Sequence, residues 1–428
     1  MAKLALLGGK KVREKAFAVH PVIGKEERDQ VLEVLDNGEL SGFLASPGDK
    51  FFGGEKVKKL ERLFKEYFGV KYAMGINSAT AGLHAAVAAL NIGPGDEVLV
   101  TPYSMSASAT AILMHNAIPI FVDIQEDIYC IDPQAIKKAI TPRTKAIIVV
   151  HLFGHPADMD EIMAIAKEHK LKVIEDVAQA PGAIYKGKYA GTIGDIGVFS
   201  FNQNKTITTG EGGVVITNDE ELAKRVQLVR NHGEVVNAHI PTKTIAGILG
   251  WNYRMTELEA AVGVAQFAKL DKLTDHRIHL AGYLSKKISN FLPILAPPEI
   301  RSYAKHVYFV YPMKYNSAKA GIPRDRFAEA VRAEGVPMGA GYVRPIYLEP
   351  IYQQLLCYGD RGCPFTCPFY ENKITYPKGA CEICERMHYE ELVITPICRY
   401  PLTEADIDDF VKAIEKVLEN KEELIAAT

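Results

Sequence analysis

The sequence predicts an α/β fold: a mostly parallel sheet with helices on both faces makes a three-layer large domain, and a smaller α+β domain follows at the C-terminus. Three observations carry this. The strand candidates are continuous apolar runs rather than alternating ones, the mark of strands buried on both faces. Helical patterns separate most of them, and such crossovers make neighbouring strands parallel. The alternation then stops at Pro293, Pro297 and Pro298, beyond which the order of elements changes.

In chain order, Lys71-Tyr72-Ala73-Met74-Gly75-Ile76 reads as a strand and 79–90 as a helix. Glu97-Val98-Leu99-Val100 is the next strand, followed by a helical stretch over 106–114. Ile118-Pro119-Ile120-Phe121-Val122-Asp123 and Ala146-Ile147-Ile148-Val149-Val150 are further strands. A helix over 156–170 leads into the strand Leu171-Lys172-Val173-Ile174-Glu175-Asp176, and 198–201 and 213–217 complete the sheet. Helical pattern runs over 256–291, and beyond the prolines come a strand at 307–311 and helices at 324–334 and 405–422. The expected division is an arm and large domain over 1–275 and a small domain over 276–428, the latter with a cysteine-containing insertion near 357–384.

Composition narrows the function classes. With 48% hydrophobic and 24% charged residues the chain is an ordinary globular one, neither disordered nor a disulfide-stapled miniprotein. Fifty basic against fifty-two acidic residues leave a net charge of −2, so no general attraction to nucleic acid or anionic lipid is expected. The apolar stretch at the N-terminus is too short for a signal peptide and no run is long enough for a membrane span, so a cytoplasmic protein is expected.

Chemistry in open α/β sheets gathers beyond the carboxyl ends of the strands. Three segments fall there. Asn77-Ser78-Ala79-Thr80-Ala81-Gly82 is a small-residue turn entering a helix, where free N–H groups and the helix dipole can hold a phosphate, or where Ser78 merely caps. Glu175-Asp176-Val177-Ala178-Gln179-Ala180 puts acids at the end of a buried strand, unfavourable without a cation, a hydrogen-bond network or a metal. Phe199-Ser200-Phe201-Asn202-Gln203-Asn204-Lys205 places a lone lysine between a buried strand and the Gly-rich turn Thr209-Gly210-Glu211-Gly212-Gly213. In a low dielectric a lysine loses its charge readily and becomes a nucleophilic amine. A phosphate cradle, a buried carboxylate and a lysine together are what pyridoxal phosphate requires: Schiff-base formation, and a carboxylate that keeps the pyridine nitrogen protonated. No Gly-x-Gly-x-x-Gly opening a helix, Walker lysine or Gly-x-Ser-x-Gly elbow is present. His151 and His155 stand four apart, but Gly154 and Pro156 break any helix that could align them on a metal.

These segments, with Gly182-Ala183, Gly194-Asp195-Ile196-Gly197-Val198 and Gly38-Glu39-Leu40-Ser41-Gly42, give the chain a resemblance to the DegT/DnrJ/EryC1/StrS sugar aminotransferases, within the fold type I pyridoxal-phosphate enzymes. The resemblance covers nearly the whole chain. It implies that Lys205 carries the cofactor and moves a proton as general base and acid. It likewise implies Asp176 at the pyridine nitrogen, Gln179 beside the ring oxygen, and Thr80, Ser200 and the backbone of Ala79 and Ala81 at the phosphate. Asn252, in Gly250-Trp251-Asn252-Tyr253-Arg254-Met255, matches the segment that reaches the neighbouring subunit's site, which implies a homodimer with shared active sites. Where the family usually stacks an aromatic residue on the ring, direct alignment gives Met105, with Tyr103 one small shift of register away.

The implied reaction moves an amino group from glutamate or glutamine to a keto sugar, with a nucleotide-linked 4-keto-6-deoxy sugar as the first expectation. A keto cyclitol is the alternative acceptor, because the segment after Ile346 is less typical of the nucleotide-sugar enzymes. A cofactor-dependent sugar dehydratase of the same family is the further alternative, against which stands Lys205, since those relatives carry His at that place. Substrate contacts are expected from His20, Pro21, Ser41, Tyr342 and Arg344, the last because its planar fork suits a carboxylate or diphosphate.

Six of the seven cysteines lie late in the chain. Cys363-x3-Cys367 and Cys381-x2-Cys384, thirteen residues apart, have the form of a structural zinc site. Reduced packed thiols or disulfides are the alternatives, and the family resemblance weighs against a metal. Cys130, Cys357 and Cys398 read as buried thiols.

Overall fold

In the computed structural model residues 3–236 and 248–426 are described. The large sheet contains strands β1 (Tyr72–Ile76), β2 (Glu97–Val100), β3 (Ile118–Phe121), β4 (Thr144–Val150), β5 (Lys172–Asp176), β8 (Ile196–Ser200) and β9 (Gly213–Thr217) in the order β1-β9-β8-β5-β4-β2-β3. Between β5 and β8 the chain makes a small hairpin of β6 (Ile184–Tyr185) and β7 (Lys188–Tyr189). The links β3–β2–β4–β5–β8 are parallel, and β9 runs antiparallel to both β8 and β1. Four of the five β5 residues and all residues of β2, β8 and β9 are buried, as continuous apolar runs require of a sheet covered on both sides.

The helices α3 (Ala79–Ala89), α4 (Ala107–Met114) and α6 (Met159–Glu168) follow β1, β2 and β4 as expected, although α6 begins three residues later than read, because Pro156 to Asp158 form an irregular turn. The amphipathic helices α1 (Lys25–Asn37) and α2 (Glu55–Phe68) precede the sheet; Val57, Leu60, Phe64 and Phe68 on α2 are buried. The stretch 256–291 divides into Glu257–Phe267 and Leu270–Ile288.

The second sheet is antiparallel, β10 (Leu295–Ala296), β12 (Tyr311–Tyr315), β14 (Leu392–Thr395) and β13 (Gly339–Ala340) in that order. Its main strand therefore lies at Tyr311–Tyr315 and not at 307–311. Tyr308 has φ 50°, a left-handed turn that ends extension before Tyr311. Pro312 sits inside the strand opposite Ile394, two positions short of Lys314, where β10 pairs, so its missing N–H leaves no ladder bond broken.

Packing crosses the expected division at 275 twice. Leu4 belongs to the apolar core of the second sheet, with Leu280, Phe327 and Phe410. Conversely, Ile346, Tyr347, Tyr352, Phe365, Tyr376, Cys381 and Cys384 pack into the core of the large sheet. There Phe121 meets the rings of Tyr352, Tyr376 and Tyr347 at 5.1, 5.4 and 5.8 Å. Tyr376 Oη donates to Pro119 O of β3 at 2.8 Å, and Tyr370 Oη to Glu97 Oε1 at 2.8 Å.

Candidate active site

A cavity of about 390 Å³ opens at the carboxyl ends of β5 and β8. Ser78, Ala79 and Thr80 line it at the N-terminus of α3, Ser200 at the end of β8, and Asp176 at the end of β5. Gly213 lets these approach: a Cβ there would meet Phe199 O at 2.5 Å and Ala79 N at 3.1 Å. Ser78 caps α3, its Oγ accepting Ala81 N–H at 3.1 Å, so that N–H of the expected phosphate set is already committed within the helix. Ser200 Oγ accepts Asn202 N–H at 3.3 Å.

Lys205 reaches the same cavity from the loop after β8, its Nζ 4.6 Å from the Phe309 ring centroid. It makes no salt bridge among the described residues. Burial pushes its ammonium below the usual lysine range, and the Asp176 carboxylate opposes this in part. Asp176 is only 4% exposed; its Oδ1 accepts Ala178 N–H at 3.0 Å and its Oδ2 accepts Ser108 Oγ at 2.8 Å. The adjacent Glu175 is held differently, by His151 Nε2 at 2.9 Å and by the N–H groups of Gly191, Ile193 and Gly194 at 2.8, 2.7 and 2.6 Å. That network accounts for one of the two buried acids and for His151. His155 instead bonds Pro156 O, at 2.7 Å.

Gln179 and Tyr342 both line the cavity and are joined: Gln179 Nε2 donates to Tyr342 Oη at 3.2 Å, while Gln179 Oε1 accepts Phe153 N–H at 2.9 Å. Met105 also lines the cavity and is 61% exposed, whereas Tyr103 is fully buried beneath it and does not.

Other expected residues lie elsewhere. His20 and Pro21 line a separate cavity of about 190 Å³ behind the lysine, where the His20 ring nitrogens stand 3.2 Å from Lys205 O and 3.4 Å from Tyr400 O. Ser41 and Arg344 are exposed and outside both cavities. Asn252 is exposed, with its backbone paired to Asn231. The four cysteines are not gathered: among the described residues no group of three or more His, Cys, Asp or Glu is placed to hold a metal ion. Cys381 and Cys384 are buried thiols, and Asp123 accepts the N–H groups of Ile383 and Cys384.

Phe309, Asn202, Asn204 and Glu211 line the main cavity without having been singled out for it. Phe309 was hidden inside an apparent strand; the left-handed Tyr308 swings it out, and Phe309 N–H then donates to Phe153 O at 2.7 Å. The other three stood beside Lys205 in its motif. Asn202 Nδ2 donates to Glu211 Oε1 at 2.9 Å, which fixes both at the cavity mouth.

Fold and cavity together define an aminotransferase of fold type I. A lysine amine and a buried carboxylate share one cavity with a helix N-terminus, beyond the strand ends of a mostly parallel sheet. The chain belongs to the DegT/DnrJ/EryC1/StrS aminotransferase family, whose profile matches residues 22–411. It is 34% identical to the GDP-perosamine synthase of Caulobacter vibrioides over 93% of this chain and 97% of that protein. It is 33% identical to a putative L-glutamine:3-amino-2,3-dideoxy-scyllo-inosose aminotransferase of Streptomyces kanamyceticus over 99% and 98% of the two chains. Among solved structures, that of S. venezuelae DesV in complex with a ketimine intermediate superposes with a TM-score of 0.77 at 30% identity, covering 92% of this chain and 94% of that one. No helix among the described residues is long and apolar enough to cross a membrane.

Proposed function

We propose that the protein is a pyridoxal-phosphate-dependent aminotransferase that takes an amino group from glutamate or glutamine and gives it to a nucleotide-linked 4-keto-6-deoxy sugar. The observation that carries the reading is the Lys205 amine, without a salt bridge among the described residues, in one cavity with the Asp176 carboxylate. The residues present fit the cofactor: an amine, a fixed anion, and at the far end hydroxyls and a helix N-terminus kept open by Gly213. When bound, the cofactor would supply an electron sink for the electron pair left on the donor's α-carbon when that carbon loses its proton. Lys205 Nζ would take and return that proton, a role helped by burial, which pushes its ammonium below the usual lysine range. Asp176 would hold the ring nitrogen protonated, Thr80 and Ser200 would hold the phosphate, Gln179 and Tyr342 would position the ring, and Met105 would pack on it.

The working unit is a homodimer in which Asn252 completes the partner's site. Leu249 and Trp251 leave apolar surface exposed in the same segment as Asn252, and so does Leu44, whose carbonyl accepts Asn231 Nδ2 at 3.0 Å beside the Asn231–Asn252 backbone pair, as an interface requires. A keto cyclitol is the second acceptor to test, because the keto-inosose relative matches 99% of this chain and so includes the segment after Ile346. Lys205→Ala should abolish the visible absorption band of the holo-protein and lower kcat on the order of 10³-fold. A purified holo-protein with no such band overturns the cofactor reading. A panel of keto sugars and keto cyclitols, read by mass change, decides the acceptor: amination of cyclitols alone overturns the nucleotide-sugar assignment.

A further inference from the structure

We propose that Ser108 is a positioning residue for this reaction, its hydroxyl holding the Asp176 carboxylate in the orientation that serves the cofactor's ring nitrogen. Ser108 is fully buried, the second residue of α4, and not among the residues lining the cavity. Its Oγ donates to Asp176 Oδ2 at 2.8 Å while Ala178 N–H occupies Oδ1 at 3.0 Å. A carboxylate has about four lone-pair directions, so each oxygen keeps one for the cavity side only while the other is pinned within the fold. A hydroxyl rotor beside a carboxylate acts as donor, and such charge-assisted bonds are stronger than neutral ones. Ser108 N–H also donates to Met105 O at 3.3 Å, so the turn that pins Asp176 also carries Ser104 and Met105 to the cavity wall. Carboxylate and wall are thereby tied to one residue, the first through its hydroxyl and the second through its backbone N–H, and that residue does not line the cavity.

The inference rests on the assignment of Asp176 to the ring nitrogen. Without the Ser108 hydroxyl the carboxylate loses a fixed donor and turns about its last torsion, so the ring nitrogen is held protonated less of the time. The test uses full-length protein reconstituted with ¹⁵N-labelled pyridoxal phosphate. Ser108→Ala should move the ring-nitrogen resonance toward its unprotonated value, weaken cofactor retention about tenfold, and lower kcat about tenfold with the donor KM little changed. Ser108→Thr, which keeps the hydroxyl, should restore all three. In an Asp176→Asn background Ser108→Ala should add less than about a twofold loss. A wild-type resonance and kcat in Ser108→Ala, failure of Ser108→Thr to restore them, or a full further loss on top of Asp176→Asn overturns the role of Ser108. So does a Ser108→Ala apoprotein that no longer unfolds cooperatively, since the hydroxyl then serves packing. An Asp176→Asn protein whose ring nitrogen stays protonated overturns the Asp176 assignment instead, and the two failures are thereby distinguished.

Discussion

The backbone N–H of Tyr342 donates to the phenol oxygen of Tyr103 at 2.9 Å, and the two rings lie edge to face with centroids 6.0 Å apart. Tyr103 is fully buried and Tyr342 lines the cavity, so the bond hangs one wall of the active site on a core residue of the loop after β2. Tyr103→Phe keeps the ring and removes the acceptor. It should cost about 1–3 kcal/mol of stability, because Tyr342 N–H is left without its partner. It should also raise the donor KM while leaving the holo-protein's absorption band in place. Denaturant unfolding and steady-state kinetics check both expectations.

The placement of Asn252 on the surface of its own subunit gives a second expectation. Asn252→Ala should weaken cofactor retention about tenfold without loss of fold, as removal of one phosphate hydrogen bond across an interface does. Dilution of the wild-type protein until sedimentation shows only monomer should release the cofactor to the same extent. Full activity in a strictly monomeric species contradicts the shared-site reading.

Acid sensitivity follows from His155. Its Nδ1 stands 2.7 Å from Pro156 O and its Nε2 accepts Arg301 N–H at 3.3 Å, so the neutral ring is satisfied on both sides and a second ring proton would face a donor. Burial, the largest cause, lowers its pKa to about 4. His306, 5.3 Å away, is lowered to about 3, chiefly by burial and then by His155. Between the ordinary histidine value near 6.5 and about 4, the unfolded chain therefore binds protons that the native protein does not. The contribution to stability is complete above pH 6.5 and is lost as pH falls, by about 2 kcal/mol at pH 5 for His155 alone. Thermal melts from pH 7 to pH 5 should show the decline, with a shallower slope in His155→Gln.

The cysteines separate by reactivity. Burial pushes the Cys381 and Cys384 thiols up, and Cys130 and Cys398 likewise; Cys357, expected to be buried, is partly exposed, its thiol raised by what burial it has, and Cys363 and Cys367 are partly exposed as well. Alkylation of the native protein should label Cys363 and Cys367 first and the four buried thiols only on unfolding. A chelator should leave Tm within about 1 °C. More than about half an equivalent of zinc in protein purified without added metal contradicts this.

The sheet from 71 to 217 was legible because each strand is an uninterrupted apolar run and each βα link carries its own punctuation, as Ser78 does at the start of α3. The spacing of Val57, Leu60, Phe64 and Phe68 marks the apolar face of α2, although its many charges disguise it. The split of 256–291 at Ala268 and Lys269 had no glycine or proline to announce it. The strand at Tyr311–Tyr315 was displaced because Pro312 reads as a terminator, and only the shortness of β10 makes it harmless. Among site residues, Asp176 and Gln179 came from one short motif and Ser200 and Lys205 from a second, and all four line one cavity. Ser108 and Phe309 could not be found that way, since their roles depend on which strand ends and loops the fold brings together.

The tyrosine-rich segment over β3 has a consequence for how copies of this chain meet one another. β3 ends the sheet order, and an uncovered terminal strand is a template for adding a foreign strand. Pro119 withholds one N–H from that edge, and the adjoining carbonyl is occupied by Tyr376 Oη at 2.8 Å. The segment thus acts as a built-in guard against intermolecular sheet growth, and its hydroxyls matter there for what they deny to neighbouring chains in a crowded solution.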